Sequence, residues 1–292
     1  MDEFGQRAIV RLRAGLCAVV VLVLVSVLTG CETEVPPEAP PIEQPPPAAL
    51  PWQAAIGELD TGAPGIHCSA ILVRADMVVT ASHCLDISTQ GPAAPGQLVF
   101  RPDMGATTGA LPASRGVSVR MGAQIRSGNL RNQDVPVDWA LVQISPPLRS
   151  VRPIPVASLT IAQMLRRIGS GDRLITAGYG NGASDTLKER DGCRLFSQQE
   201  LGLYPDDSWL QLDCFIRTGD SGGAIVLLDG GRPLLVGIVV GWGRNPKVID
   251  RTVAFGANAA NFAPYVGQPI AAVLLPPADQ LAEAPSFHSP RN

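Results

Sequence analysis

Between residues 52 and 275 the chain alternates short apolar runs with polar or glycine-bearing breaks. The runs at 69–73, 77–80, 97–101, 117–121, 139–144, 173–177, 224–228 and 233–242 are rich in Val, Ile and Leu, with Gly, Pro, Asn and Asp around them. Runs of this length and composition predict β-strands. One stretch, 159–168, spaces its apolar residues as a helix does. Many short strands with little helix predict an all-β barrel or sandwich.

The two ends fall outside that pattern. Arg7, Arg11 and Arg13 precede an apolar run over 14–28, the layout of an export signal. The run ends in Leu28-Thr29-Gly30-Cys31. This ending resembles the bacterial lipoprotein signal, which implies removal of residues 1–30 and a lipid on Cys31. An uncleaved anchor is the alternative, because about 20 apolar residues span a bilayer. Either arrangement places the remainder outside the cytoplasm. Glu32 stands where lipoproteins retained at an inner membrane often carry Asp, so an outer membrane, periplasmic or cell-surface location is expected. Residues 31–51, with Pro36-Pro37, Pro40-Pro41 and Pro45-Pro46-Pro47, predict an extended spacer. Residues 276–292 read as a flexible polar tail.

The formal net charge is −3, with no long basic run. That argues against nucleic acid as a partner, since phosphate binding needs clustered cations. Of the 6 cysteines, Cys17 leaves with the signal and Cys31 carries lipid. Cys68, Cys84, Cys193 and Cys214 remain, and an even number in an exported chain suggests two disulfides.

Three fragments carry chemistry: Val79-Thr80-Ala81-Ser82-His83-Cys84, Val137-Asp138-Trp139-Ala140-Leu141-Val142 and Thr218-Gly219-Asp220-Ser221-Gly222-Gly223. A serine hydroxyl needs an adjacent base to take its proton, and the base needs a third group to hold its tautomer. Ser221, His83 and Asp138 fit those roles. Asp134 is a rival orienter, but it lacks the Trp-Ala-Leu-Val run that follows Asp138. Gly219–Gly223 also fits the nucleophile elbow of α/β-hydrolases, which need their acid and His after the Ser. Only His288 follows Ser221, so that fold is disfavoured. A zinc site from His67-Cys68 and His83-Cys84 is disfavoured too, because neighbours on a strand point to opposite faces. Gly178-Tyr179-Gly180-Asn181-Gly182 reads as a turn, since no helix pattern opens after it.

In the order His, Asp, Ser, the three fragments resemble the chymotrypsin/trypsin-like serine peptidases, across most of residues 52–265. The resemblance implies two six-stranded antiparallel β-barrels, a short C-terminal helix and a cleft between the barrels. It implies peptide-bond hydrolysis by a monomer without cofactor or metal, acting on a protein or peptide. Catalytic roles fall on His83, Asp138 and Ser221, and the oxyanion hole on the N–H groups of Gly219 and Ser221. The resemblance also implies that Cys68 pairs with Cys84 and Cys193 with Cys214. The substrate pocket falls to Phe215, Thr218, Gly241, Trp242 and Gly243. Phe215 stands where trypsin-like enzymes carry an acid, unless the loop shifts to bring in Asp213, and 237–243 contains no His. A small or apolar P1 residue is therefore expected.

Two departures stand out. No Ile-Val-Gly-Gly sequence offers a new amine for Asp220, so Asp220 needs another cation, with Arg the expected type. Gly241 replaces a serine whose hydroxyl helps to bind the catalytic Asp. A catalytically silent binding module on the same fold is the alternative function.

Overall fold

The computed structural model describes residues 51–63, 66–88, 91–102, 111–126, 130–180, 186–201, 207–244 and 252–270. The expected lipoprotein signal, Cys31, the proline-rich stretch up to residue 50 and the expected C-terminal tail lie outside these residues, as do Asn181 and Gly182.

The first half forms strands β1 (Ile56–Asp60), β2 (His67–Arg74), β3 (Met77–Thr80), β4 (Asp86–Ser88), β5 (Gly91–Pro92), β6 (Val99–Pro102), β7 (Ser114–Met121) and β8 (Ala140–Ser145). Six of them close into a barrel in the order β1-β2-β3-β8-β7-β6, and β4 and β5 pair separately. The inner residues of β2 are buried on both faces. One face fills the barrel, while the other abuts the second half, where Ser69 N–H donates to Ser221 O at 2.8 Å. This double burial explains why β2 reads as a continuous apolar run rather than an alternating one.

The second half contributes β9 (Arg173–Gly178), β10 (Lys188–Asp191), β11 (Arg194–Leu195), β12 (Trp209–Asp213), β13 (Ala224–Asp229), β14 (Arg232–Arg244) and β15 (Thr252–Asn258). Their order is β10-β9-β13-β14-β15-β12-β11. The edge strands β10 and β11 are separated in sequence only by Gly192 and Cys193. The sheet therefore curls until its edges meet. Counted as one strand kinked at Gly192, whose φ is 72°, β10 and β11 complete a second six-stranded barrel. The expected two-barrel all-β fold is the fold observed.

Helix α1 (Ile161–Gly169) realises the one predicted helix. Thr160 starts it with a reciprocal cap: its Oγ1 accepts from Gln163 N–H, and Gln163 Oε1 accepts from Thr160 N–H. Ile161 and Met164 then bury against Leu174, Leu227 and Val236 of the second barrel. After one turn of α2 (Gln198–Leu201), the short C-terminal helix is α3 (Ala263–Val266). From α3, Tyr265 stacks on Trp139 at 5.5 Å between ring centroids, and Phe262, which precedes the helix, lies 6.2 Å from the same ring. The ring that follows Asp138 is thus gripped by the C-terminal segment. One apolar cluster runs from Ile71, Val79 and Leu141 to Val226 and Ile238, so the two barrels share a core.

Candidate active site

β3 and β8 run antiparallel, with Thr80 opposite Ala140. The residues leaving β3 and those entering β8 are therefore neighbours. A 3-10 turn, Ser82–Leu85, presents His83, and Asp138 stands just ahead of β8. Asp138 is fully buried. Its Oδ2 meets His83 Nδ1 at 2.6 Å, and its Oδ1 accepts from His83 N–H at 2.9 Å and from Ser82 Oγ at 2.8 Å. A carboxylate oxygen accepts from Nδ1, so in the neutral imidazole Nδ1 carries the proton and Nε2 the lone pair.

The role of Ser82 was not visible from spacing alone. Its hydroxyl does for Asp138 what the residue at 241 cannot. A Cβ at Gly241 would meet Leu130 Cδ2 at 3.2 Å, so Leu130 packs beside the space that a serine there would use. The rival Asp134 is engaged elsewhere: both its oxygens accept from the Arg131 guanidinium, at 3.0 and 3.1 Å. That guanidinium holds the Asp134 carboxyl below the usual carboxylate range.

The nucleophile turn links β12 to β13. Asp220 is buried, and its Oδ2 takes an ion pair from Arg190 Nη2 at 2.8 Å and the Arg217 N–H at 2.7 Å. The expected but unassigned cation is therefore Arg190, on β10. The glycines of the 178–180 turn make room for this pair, since a Cβ at Gly180 would lie 2.6 Å from Asp220 Oδ1. The contact is single-pointed: Arg190 Nη1 and Asp220 Oδ1 are buried without a partner among the described residues.

The amides of the turn fall into two groups. Asp220, Gly222 and Gly223 donate to Arg217 O, Val239 O and Asp220 O, at 3.0, 2.7 and 2.8 Å. The N–H groups of Gly219 and Ser221 have no acceptor among the described residues. Gly219 holds φ at 96°, a backbone conformation that suits glycine. Ser221 Oγ donates to Val240 O at 3.4 Å, and among the described residues it makes no hydrogen bond to His83.

Cys68 is bonded to Cys84 and Cys193 to Cys214. Cys68, His83 and Cys84 cluster tightly, yet sulfurs bonded to each other are not the thiolates that bind zinc. His67 Nδ1 instead meets Glu58 Oε1 at 3.0 Å. Among the pocket residues, Phe215 is 62% and Trp242 57% exposed, and Thr218 is exposed as well. The Arg217 guanidinium lies 5.2 Å from the centre of the Phe215 ring. Ile216, between them, points into the core. Asp213 is fixed in β12 opposite Arg194. A Cβ at Gly243 would strike the Phe255 ring.

A sequence profile described as Trypsin matches residues 42–266. Among solved structures, a scabies mite inactivated protease paralogue, S-I1, superposes with a TM-score of 0.51 at 17% identity, covering 75% of this chain and 95% of that one. At that identity the likeness is one of fold. No curated protein sequence gives a significant match.

Proposed function

The chain belongs to the trypsin family, and on that premise we propose that it is a serine endopeptidase in which Ser221 is the nucleophile, His83 the general base and Asp138 the orienting acid. The observation that carries the reading is the pair of free amides, Gly219 N–H and Ser221 N–H, in a turn whose other three amides are bonded. Unpaired donors in a packed turn cost free energy, and an oxyanion hole is the use that repays it.

Ser221 Oγ turns from the Val240 carbonyl toward His83 Nε2 when substrate binds, a tightening common at such sites. The hydroxyl proton passes to Nε2 as the Oγ–C bond forms. The oxyanion sits on the two amides. The imidazolium, stabilised by Asp138, gives its proton to the leaving amine as the C–N bond breaks. Water, deprotonated by Nε2, then cleaves the acyl ester and restores the hydroxyl. No cofactor enters.

Asp220 is neutralised from within by Arg190, so the enzyme needs no cleavage to generate a new amine. A small or apolar P1 residue suits a pocket in which position 215 carries Phe and 237–243 lacks His. The domain works as a monomer, held by lipid on Cys31 to the outer membrane or cell surface. A Cys31→Ala variant appears in the soluble fraction; if it stays in the membrane, the apolar segment is the anchor.

A silent binding module is the second reading. It is favoured by the Ser221 Oγ bond to Val240 O in place of one to His83. Labelling with a fluorophosphonate separates the two. The peptidase labels, and Ser221→Ala and His83→Ala do not. A folded wild type that stays unlabelled is the binding module.

A further inference from the structure

We propose that Ser69, on a strand of the first barrel, is the positioning residue that locks the oxyanion hole in the second. The proposal rests on the peptidase reading above. Ser69 is fully buried. Its Oγ accepts from Tyr179 N–H at 2.8 Å and donates to Gly219 O at 2.9 Å. Its N–H donates to Ser221 O at 2.8 Å, and its own carbonyl accepts from Thr80 Oγ1 at 2.8 Å. One residue of β2 thus holds β3, the 178–180 turn and both ends of the Gly219–Ser221 segment.

The Gly219–Asp220 peptide is the part that needs holding. It joins the two peptides that carry the free amides, so its orientation constrains how those two N–H groups converge. A glycine on its N-terminal side makes rotation of that plane inexpensive. The peptide is anchored at both poles: its carbonyl by Ser69 Oγ, its N–H by Arg217 O at 3.0 Å. Without the Ser69 hydroxyl, the carbonyl loses its partner and the plane is held from one side only. The turn also packs directly on this residue, since a Cβ at Gly222 would lie 2.1 Å from Ser69 O. No side chain at position 222 can intervene. Ser69 touches neither base nor nucleophile oxygen, so it acts through geometry alone.

The test uses the full-length chain with a chromogenic peptide ester bearing a small apolar P1 residue. Ser69→Ala lowers kcat by about 10- to 100-fold with KM unchanged, the size of effect that misplaced catalytic groups produce. Hydrogen exchange at the Asp220 amide accelerates in the same variant. Ser69→Cys, which keeps a weak donor, falls between the two. Ser114→Ala removes a buried barrel hydroxyl that donates to Pro146 O at 2.7 Å, and it retains wild-type kcat. A Ser69→Ala enzyme with wild-type kcat overturns the proposal, and so does unchanged Asp220 exchange in that variant. If the wild type itself does not hydrolyse the ester, the peptidase reading fails, and the Asp220 exchange rate decides the lock by itself.

Discussion

The protein buries two aspartates beside its candidate nucleophile and holds them in opposite ways. Asp138, in the first half, is surrounded by donors from its own neighbourhood: the His83 ring, the His83 amide and the Ser82 hydroxyl. Asp220, in the second half, is met by a full cation from a separate strand, Arg190, and by one amide. In the proposed mechanism the first arrangement serves an imidazole that takes up and gives back a proton. The second is a fixed ion pair that shapes a turn. On the peptidase reading, one aspartate responds to the chemistry and the other holds the backbone on which that chemistry depends.

The sharpest way to break this contrast is Arg190→Met. It leaves Asp220 buried without its cation, which destabilises the fold by about 3–5 kcal/mol. Chemical denaturation reads the loss, and most of it returns in Arg190→Met/Asp220→Asn, because the pair is then removed as a unit. Activity does not return with stability if the ion pair shapes the turn. Next in size is Cys193→Ser/Cys214→Ser. This disulfide closes a 21-residue separation at the point where β10 meets β11. Its removal costs about 3 kcal/mol by loop entropy, visible as a lower denaturation midpoint.

Ser82→Ala tests the other aspartate. It removes one of three donors to Asp138 and lowers kcat by about 5- to 30-fold, the equivalent of a charge-assisted hydrogen bond of about 1–2 kcal/mol. Adding Gly241→Ser recovers part of the rate if Leu130 gives way by a few tenths of an ångström. A Ser82→Ala enzyme with full activity removes Ser82 from the site. The smallest effect concerns acid. The Arg74 guanidinium, hydrogen-bonded to Asp76, holds that carboxyl below its ordinary value. A depressed carboxylate contributes stability above its unfolded value and loses it as pH falls through the folded one. Stability therefore declines as pH drops below about 4, and Asp76→Asn makes that decline shallower in acid titrations followed by fluorescence.

The same contrast explains what could be read from the chain. His83, Asp138 and Ser221 sit in local motifs whose chemistry constrains neighbours, and the strand runs around them are apolar and short. Those runs predict an all-β barrel or sandwich, and the choice of two barrels comes from the resemblance those motifs carry. Arg190 was hidden because β10 is Lys188-Glu189-Arg190-Asp191, a run that looks like a solvated charge cluster and is held as a strand by backbone pairing with β9. Ser82 stood beside His83 in plain view, but its role needs the three-dimensional approach of Asp138. Ser69 gave no signal, since a lone serine in an apolar strand has many uses and its hydroxyl's partners lie over 100 residues away. Phe215 was placed by spacing as a pocket wall, and only the structure reveals that its ring is solvent-exposed beside the Arg217 guanidinium while Ile216 packs inside.

Intact-mass analysis of the uncleaved chain after fluorophosphonate treatment is the most direct measurement. An active site assembled internally by Arg190 gives one adduct per chain, on Ser221, with no break between residue 51 and Ser221. A folded chain that takes no label until a protease cuts it within that span would contradict it, because Asp220 would then depend on a new amine rather than on Arg190.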